Sequence, residues 1–297
     1  MYHERVSRDF KYRDLVIEKP EWETAMCSIV AVRSKCLEEC GATFCADLWR
    51  TGSFQMLPVE IAFQVRRDTI WQCNAANVVN GRSQVHIMDV VNQEITPAFM
   101  AAFNAQVEEL ERAKKSVQNW LRVKLGLEYV EKMLEINEEM RESVDLIFTA
   151  IVRESWTAFE CFAADVWNAG VDNGPSRVKS HPGRRRKSFQ GLEPIKRAYG
   201  AAFGDKAEKL FDTVASGDIV LLAGFRNVMS HSPGKATKYF VGLVRGMPEF
   251  KSIKEGDPVL LNGELVRRLR IAGALLGDAL IHFVDDRITP PPVVQAP

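Results

Sequence analysis

Apolar residues recur at helical spacing along most of this chain. The clearest example is the segment 264–286, whose apolar positions are separated alternately by four and three residues. They are Leu265, Leu269, Ala272, Leu276, Ala279 and Phe283. Such spacing places the side chains on one face of a helix and is typical of a helix in a bundle.

The residues before this segment predict further helices. Residues 218–231 are largely apolar, and the Ser-Pro-Gly sequence that follows stops a helix there, because proline disfavours helical backbone in the residue before it. Residues 192–199 and 205–214 predict two short helices. Residues 127–168 are charged at first and much more apolar later, which is typical of a helix that passes from solvent into a core. Together these segments predict an all-α bundle over residues 126–288.

The first 125 residues predict a mainly helical N-terminal region of unknown role. Residues 22–49 predict one or two helices, with Gly41 as a candidate break. Pro58 is suited to the first turn of another helix, since its missing N–H costs nothing there. We place the boundary between the two regions near Gly126, so that the N-terminal region covers residues 1–125.

Length and charge limit the class of protein. The chain has 297 residues, with 39 Lys and Arg against 39 Asp and Glu and 46% hydrophobic residues, which excludes a largely disordered chain. Because the formal net charge is zero, any binding of nucleic acid has to come from a local basic patch. Residues 289–297, TPPPVVQAP, predict a disordered proline-rich tail.

No segment predicts export or membrane insertion. The N-terminal residues are charged and lack the apolar core of a signal peptide. The longest clean apolar stretch, residues 219–225, is too short to span a bilayer. The expectation is therefore a cytoplasmic protein without membrane contact.

The six cysteines are expected to be small buried side chains. Cys36, Cys40 and Cys45 form the one cluster that suggests a metal, since Cys36 and Cys40 are four residues apart on a helix face. No Cys-x-x-Cys pair and no nearby histidine completes a zinc site. We therefore expect no metal and no cofactor.

The main candidate for chemistry is the sequence Arg226-Asn227-Val-Met-Ser-His231, at the end of the helix predicted over residues 218–231. Asn227 and His231 share a helix face, and the long side chain of Arg226 reaches toward the same end. A histidine suits proton transfer near neutral pH, and a guanidinium suits a phosphate with developing charge. Together they fit cleavage of an RNA phosphodiester with the 2′-hydroxyl as nucleophile. A histidine that caps its helix beside an arginine in a surface ion pair explains the same residues without catalysis.

These residues resemble the Arg-Asn-x-x-x-His signature of HEPN domains, which are all-α bundles found in RNA-cleaving toxins, phage-defence proteins and CRISPR ribonucleases. A second stretch, AIVRESWTAFECFAADVWNAGV, resembles the early HEPN helix. The matching positions there are Trp156, Phe159, Glu160 and Phe162. The resemblance covers residues 144–288 and depends on these two motifs.

The resemblance implies a metal-independent endoribonuclease in a defence, toxin or stress-response role. It implies that Arg226 and His231 act on the scissile phosphate, that Asn227 orients them, and that Glu160 hydrogen-bonds the pair. Pairing of Glu160 with a buried arginine is the alternative, structural role. It also implies a homodimer, because HEPN ribonucleases pair two signature helices, and an antitoxin or regulatory protein as a further partner. One toxin subgroup that works with a nucleotidyltransferase has a tyrosine where this chain has Pro233, which argues against that subgroup's mechanism.

The second candidate is a basic segment between the two HEPN-like motifs. In a chain of zero net charge, such a run predicts contacts to an RNA backbone that are non-specific and salt-sensitive. A solvated loop is the alternative. Two other interpretations of the whole chain stay open: a non-catalytic HEPN-like module that binds RNA or protein, and an unrelated helical scaffold. The basic residues are Arg177, Lys179, Arg184, Arg185, Arg186 and Lys187.

Overall fold

The described part of the protein is all-α, as the sequence predicts. The computed structural model describes residues 10–16, 20–80, 101, 119–174, 189–214, 217–232 and 234–289. These residues contain no strand and one isolated β-bridge, between Lys235 and Pro258. None of their helices is both long enough and apolar enough to cross a membrane. Residues 290–297 of the predicted tail lie outside the described residues.

The described residues form ten α-helices. They are α1 (Tyr12–Val16), α2 (Pro20–Ile29), α3 (Lys35–Asn80), α4 (Asn119–Ile136), α5 (Glu138–Asn173), α6 (Leu192–Phe203), α7 (Asp205–Val214), α8 (Gly217–His231), α9 (Lys238–Leu243) and α10 (Gly263–Ile288). A short 3₁₀ helix, Pro248–Phe250, precedes α10. The predictions of α6, α7, α8 and α10 are confirmed.

Helix α3 is longer than the sequence predicts. Gly41 and Pro58, which the pattern marks as a break and a helix start, both lie inside it, so those two predictions are wrong. At Gly41, an added Cβ would lie 2.5 Å from the carbonyl oxygen of Ile29 in α2. The close approach of α2 to α3 therefore accounts for this glycine, and no turn is needed.

Contacts divide the chain into two compact units. The first comprises Met1–Phe54 and Glu142–Pro297, and the second comprises Gln55–Arg141. The first 54 residues thus belong with the residues from 142 on, whereas the sequence predicts a single boundary near Gly126. Within the second unit, α4 runs through Gly126, where an added Cβ would lie 2.6 Å from the carbonyl oxygen of Val59.

Helix α10 lies against several helices of the first unit, among them α1, α2, α7 and α8. In the predicted apolar seam, Ala279 and Phe283 are half-buried and the other four residues are buried. Because neighbours surround α10 on several sides, residues outside the seam are buried as well, among them Val266, Leu280 and Ile281. The seam is therefore one of several buried faces of this helix.

The N-terminal residues are tied to α10 by polar contacts. Asp285 accepts hydrogen bonds from the backbone N–H and Nε of Arg33 and from the backbone N–H of Ser34. Burial raises the pKa of the Asp285 carboxyl, but these hydrogen bonds and one from Thr289 outweigh burial, and the pKa lies below its usual value. The carboxylate therefore stabilises the turn between α2 and α3 against the C-terminal end of α10.

The apolar half of α5 supplies much of the core. Trp156 and Trp167 are buried. The ring of Phe162 stacks on Phe44 of α3, with centroids 4.2 Å apart. Glu160 lies between Trp156 and Phe162 in sequence, so the packing of these two rings holds its part of α5 in place.

Candidate active site

Helix α8 presents the candidate residues at its C-terminal end. Its apolar side chains, among them Leu222 and Phe225, are buried. The helix ends at His231, where the backbone N–H of Ser232 still donates to the carbonyl of Val228 at 3.0 Å. Gly234 follows with a φ of 72°, which is left-handed backbone that favours glycine. The apolar face thus fixes the helix, and the glycine lets the chain turn away directly behind the candidate residues.

Arg226 and Glu160 form an ion pair between α8 and α5. Arg226 Nη2 lies 3.7 Å from Glu160 Oε2, and the side chains are 22% and 9% exposed, respectively. The backbone N–H of Gly191 donates a hydrogen bond to the other carboxylate oxygen, Oε1. A buried carboxylate is costly without partners, and here it has both a cation and a backbone donor. The arginine that Glu160 pairs with is thus Arg226 of the Arg-Asn-x-x-x-His sequence.

Asn227 also contacts the guanidinium of Arg226. Arg226 Nη1 donates a hydrogen bond to Asn227 Oδ1 at 3.2 Å. A guanidinium has five N–H donors, so these contacts leave several for a ligand. The 22% exposure of Arg226 leaves the group within reach of solvent, while Glu160 and Asn227 restrict its position.

His231 stands apart from this cluster. Its side chain is exposed, and within the described part of the chain it has no hydrogen bond or ion pair. On an α-helix, residues five positions apart point about 140° away from each other, whereas Asn227 and His231 lie on the same face. The structure thus joins Arg226, Asn227 and Glu160, and leaves His231 at the same helix end without a link to them.

The predicted basic segment lies outside the described residues. It comprises Arg177, Lys179, Arg184, Arg185, Arg186 and Lys187. The described chain resumes at Phe189, which is buried, and Gly191 follows with a φ of 105°. Because Gly191 donates to Glu160, the first residues after the basic segment are fixed beside Arg226. A backbone donor of this kind has no side-chain signature, so the sequence could not reveal Gly191 as part of the cluster.

A second cluster has the residue types of a hydrolase triad but not its geometry. Ser28 Oγ lies 3.0 Å from Nε2 of His282, and Asp278 Oδ1 lies 3.4 Å from the same nitrogen. In a triad the serine and the carboxylate bind opposite ring nitrogens. Nε2 also lies 3.1 Å from the carbonyl oxygen of Ser28. The arrangement ties α2 to α10 and does not activate a nucleophile.

The described cysteines are less buried than the sequence predicts, so that prediction is wrong for them. Cys27 and Cys161 are exposed, and Cys36, Cys40 and Cys45 are half-buried. They lie at the edges of buried helix faces, where thiols meet polar groups such as Ser34 Oγ, 3.0 Å from Cys36 Sγ. Burial raises the pKa of the Cys40 and Cys45 thiols to about 11. Among the described residues, no group of three His, Cys, Asp or Glu side chains could hold a metal ion.

Comparison with known proteins adds no relative. No protein-family model matches the chain. Neither the curated proteins nor the solved structures contain a match to it. Any function therefore has to be argued from the residues and their geometry.

Proposed function

We propose that this protein is a metal-independent endoribonuclease of HEPN type, in a defence, toxin or stress-response role. One observation carries the proposal: Arg226 of the Arg-Asn-x-x-x-His motif is held by Glu160 and Asn227 and keeps part of its guanidinium exposed. An arginine fixed in this way suits a phosphate, because little freedom is lost when the ligand binds. His231, at the same helix end and exposed, is available for proton transfer.

The proposed reaction is an internal transfer within RNA. His231 takes the proton of a ribose 2′-hydroxyl, and the oxygen attacks the adjacent phosphorus. The bond from phosphorus to the 5′-oxygen breaks, and that oxygen takes up a proton. The products are a 2′,3′-cyclic phosphate and a 5′-hydroxyl. Arg226 stabilises the negative charge that develops on the phosphoryl oxygens.

We infer that two chains combine to form the complete site. On one helix, Arg226 and His231 point in different directions. In a dimer with the two α8 helices side by side, the histidine of one chain would face the arginine of the other. The proposal is therefore a homodimer with paired α8 helices, regulated by an antitoxin or another protein. The basic segment 177–187 would bind the RNA backbone at its rim.

A non-catalytic RNA-binding module is the second candidate. It is favoured by the lack of any described contact between His231 and Arg226. In that case the arginine would bind phosphate without cleavage, and loss of His231 would have no effect on RNA integrity.

Incubation of the purified protein with total RNA, with and without EDTA, tests the proposal. Cleavage is expected in both, with cyclic phosphate ends, and His231→Ala is expected to lower the rate by about 10²-fold or more. Ser230→Ala is the matched control, since Ser230 is an exposed neighbour on the same helix. Circular dichroism checks that each variant is folded. Intact RNA with the wild-type protein, or equal cleavage by folded His231→Ala, would reject the catalytic proposal.

A further inference from the structure

The chain around the C-terminal end of α8 contains no acidic residue. From Ile219 to Met247 there is no Asp or Glu, although the average over the chain would place about four there. The same stretch contains Lys235, Lys238 and Arg245 in addition to His231, and Arg226, which pairs with Glu160 of α5. In a chain of zero net charge, this segment creates a local positive potential without a compensating carboxylate of its own.

Of the carboxylates on either side of this stretch, Asp218, Glu249 and Asp257 have other partners, whereas Glu255 is exposed. Asp218 and Glu249 each lie 2.7 Å from a nitrogen of Arg268. Asp257 accepts a hydrogen bond from the backbone N–H of Lys254 at 2.8 Å. Lys235 and Lys238 are exposed, and neither has an ion pair with any residue that the structure describes.

Tyr239 directly follows Lys238 and is an exposed aromatic ring. It is 69% exposed, although it directly precedes Phe240, which is fully buried. Phe240 packs against Phe225 of α8, with ring centroids 5.2 Å apart. Since Phe225 precedes Arg226, this contact places Tyr239 within a few nucleotides' length of the candidate active site.

The backbone that carries these side chains is held firmly. Ala236 donates to the carbonyl of Asp257, and its own carbonyl accepts from Gly256, both at 2.8 Å. Thr237 caps α9 by accepting a hydrogen bond from the backbone N–H of Phe240 at 3.1 Å. An aromatic ring on a fixed backbone loses little conformational freedom when a planar ligand stacks on it.

We propose that Tyr239, Lys235 and Lys238 form a binding subsite for single-stranded RNA next to Arg226. The phenol ring stacks on one base, and the two ammonium groups bind neighbouring phosphates. Stacking of this kind accepts any base, so the subsite positions the strand without reading its sequence. The inference rests on the proposed ribonuclease function and names the part of the surface that holds its substrate.

The test is binding of a fluorescein-labelled, 2′-O-methylated 12-nucleotide RNA, which cannot be cleaved, followed by fluorescence anisotropy. Tyr239→Ala is expected to weaken binding about tenfold, in line with loss of one base stack. Tyr239→Phe keeps the ring and should bind like the wild type. Trp49→Ala is the control for loss of an exposed aromatic ring, since Trp49 is 56% exposed on α3. Replacing both lysines by alanine should lower the slope of log affinity against log salt by about 1.4 at most, and Lys206→Ala, also exposed, should not change it.

The outcomes separate this inference from the proposed function. If the wild-type protein cleaves RNA but Tyr239→Ala binds and cleaves like the wild type, the subsite is wrong and the ribonuclease proposal stands. If the wild-type protein neither binds nor cleaves RNA, both are wrong. Loss of affinity in Tyr239→Ala with full affinity in Tyr239→Phe and Trp49→Ala supports the subsite. Equal losses in Tyr239→Ala and Trp49→Ala would overturn it, because the effect would not be local.

Discussion

Replacing Glu160 by glutamine removes the charge of the carboxylate and nearly preserves its shape. The side-chain oxygen that accepts from the Gly191 N–H is retained, whereas the ion pair with Arg226 is lost. The variant therefore separates the electrostatic role of Glu160 from its role in packing. We expect a folded protein of lower stability in which Arg226 is less restricted.

The distances set the expected size of the effect. Two charges 3.7 Å apart attract by about 4–5 kcal/mol at an effective dielectric constant of 20. Desolvation of the buried carboxylate offsets most of this attraction, which leaves a net coupling of about 1 kcal/mol. The Gly191 hydrogen bond changes from charged to neutral, which costs about 1 kcal/mol more. The sum, about 2 kcal/mol, corresponds to a fall in melting temperature of about 4–8 °C for a unit of this size.

A double-mutant cycle isolates the ion pair. Urea unfolding is measured for the wild type, Glu160→Gln, Arg226→Gln and the double variant, and the coupling between the two sites is expected to be about 1 kcal/mol. Glu160→Gln weakens the Gly191 hydrogen bond both in the presence and in the absence of Arg226, so this contribution cancels from the coupling energy. A coupling below about 0.3 kcal/mol, which is the usual error of additivity, would show that the two groups do not stabilise each other. RNA cleavage by Glu160→Gln should fall, but less than in Arg226→Gln, because the guanidinium is still present.

Three further predictions follow from the packing and the pKa shifts. Gly277→Ala should destabilise the protein by about 1–3 kcal/mol in urea unfolding, because the new Cβ would lie 2.6 Å from the ring of Phe44. Gly242→Ala should instead stabilise the protein by about 0.5–1 kcal/mol, because no atom lies within 4 Å of the new Cβ. The hydrogen bonds to Asp285 lower its pKa more than burial raises it. The ionised carboxylate therefore stabilises the folded protein above the unfolded-state pKa of about 3.9, and this stabilisation is lost as the pH falls through the lower folded-state pKa. In Asp285→Asn, the free energy of unfolding should therefore fall less steeply at acidic pH than in the wild type. An unchanged pH dependence would contradict this. Because burial raises the pKa of Cys40 to about 11, iodoacetamide at pH 8 should alkylate Cys40 more slowly than a free model thiol, as followed by mass spectrometry.

Local signals in the sequence were sufficient for α8, which carries Arg226 and His231, and for α10. Helix α8 ends at the Ser-Pro-Gly stop, and α10 follows its apolar spacing, because in both cases the signal acts within a few residues. Gly41 gave the same kind of local signal, a predicted helix break, but helix α3 continues through it. Its reason is the backbone of α2 at 2.5 Å, a contact between separate helices that no short window of sequence contains.

The candidate site was predictable in its residue types and not in its connections. The resemblance implied that Glu160 contacts Arg226 and His231, with pairing to a buried arginine as the alternative, and the structure places Glu160 3.7 Å from Arg226. The sequence could not show that Gly191 shares the carboxylate or that His231 stays apart, since both depend on how the helices pack. The catalytic roles of these residues stay a prediction until cleavage is measured.

The contacts of the N-terminal helices with α10 have a consequence for synthesis on the ribosome. Tyr12 stacks on Phe148, and Lys11 binds Glu264, 253 positions further along the chain. Helix α1 therefore leaves the exit tunnel long before these partners exist, and its apolar face stays uncovered during most of translation. The first unit therefore closes only after α10 has been synthesised, so burial of its N-terminal residues is a late event.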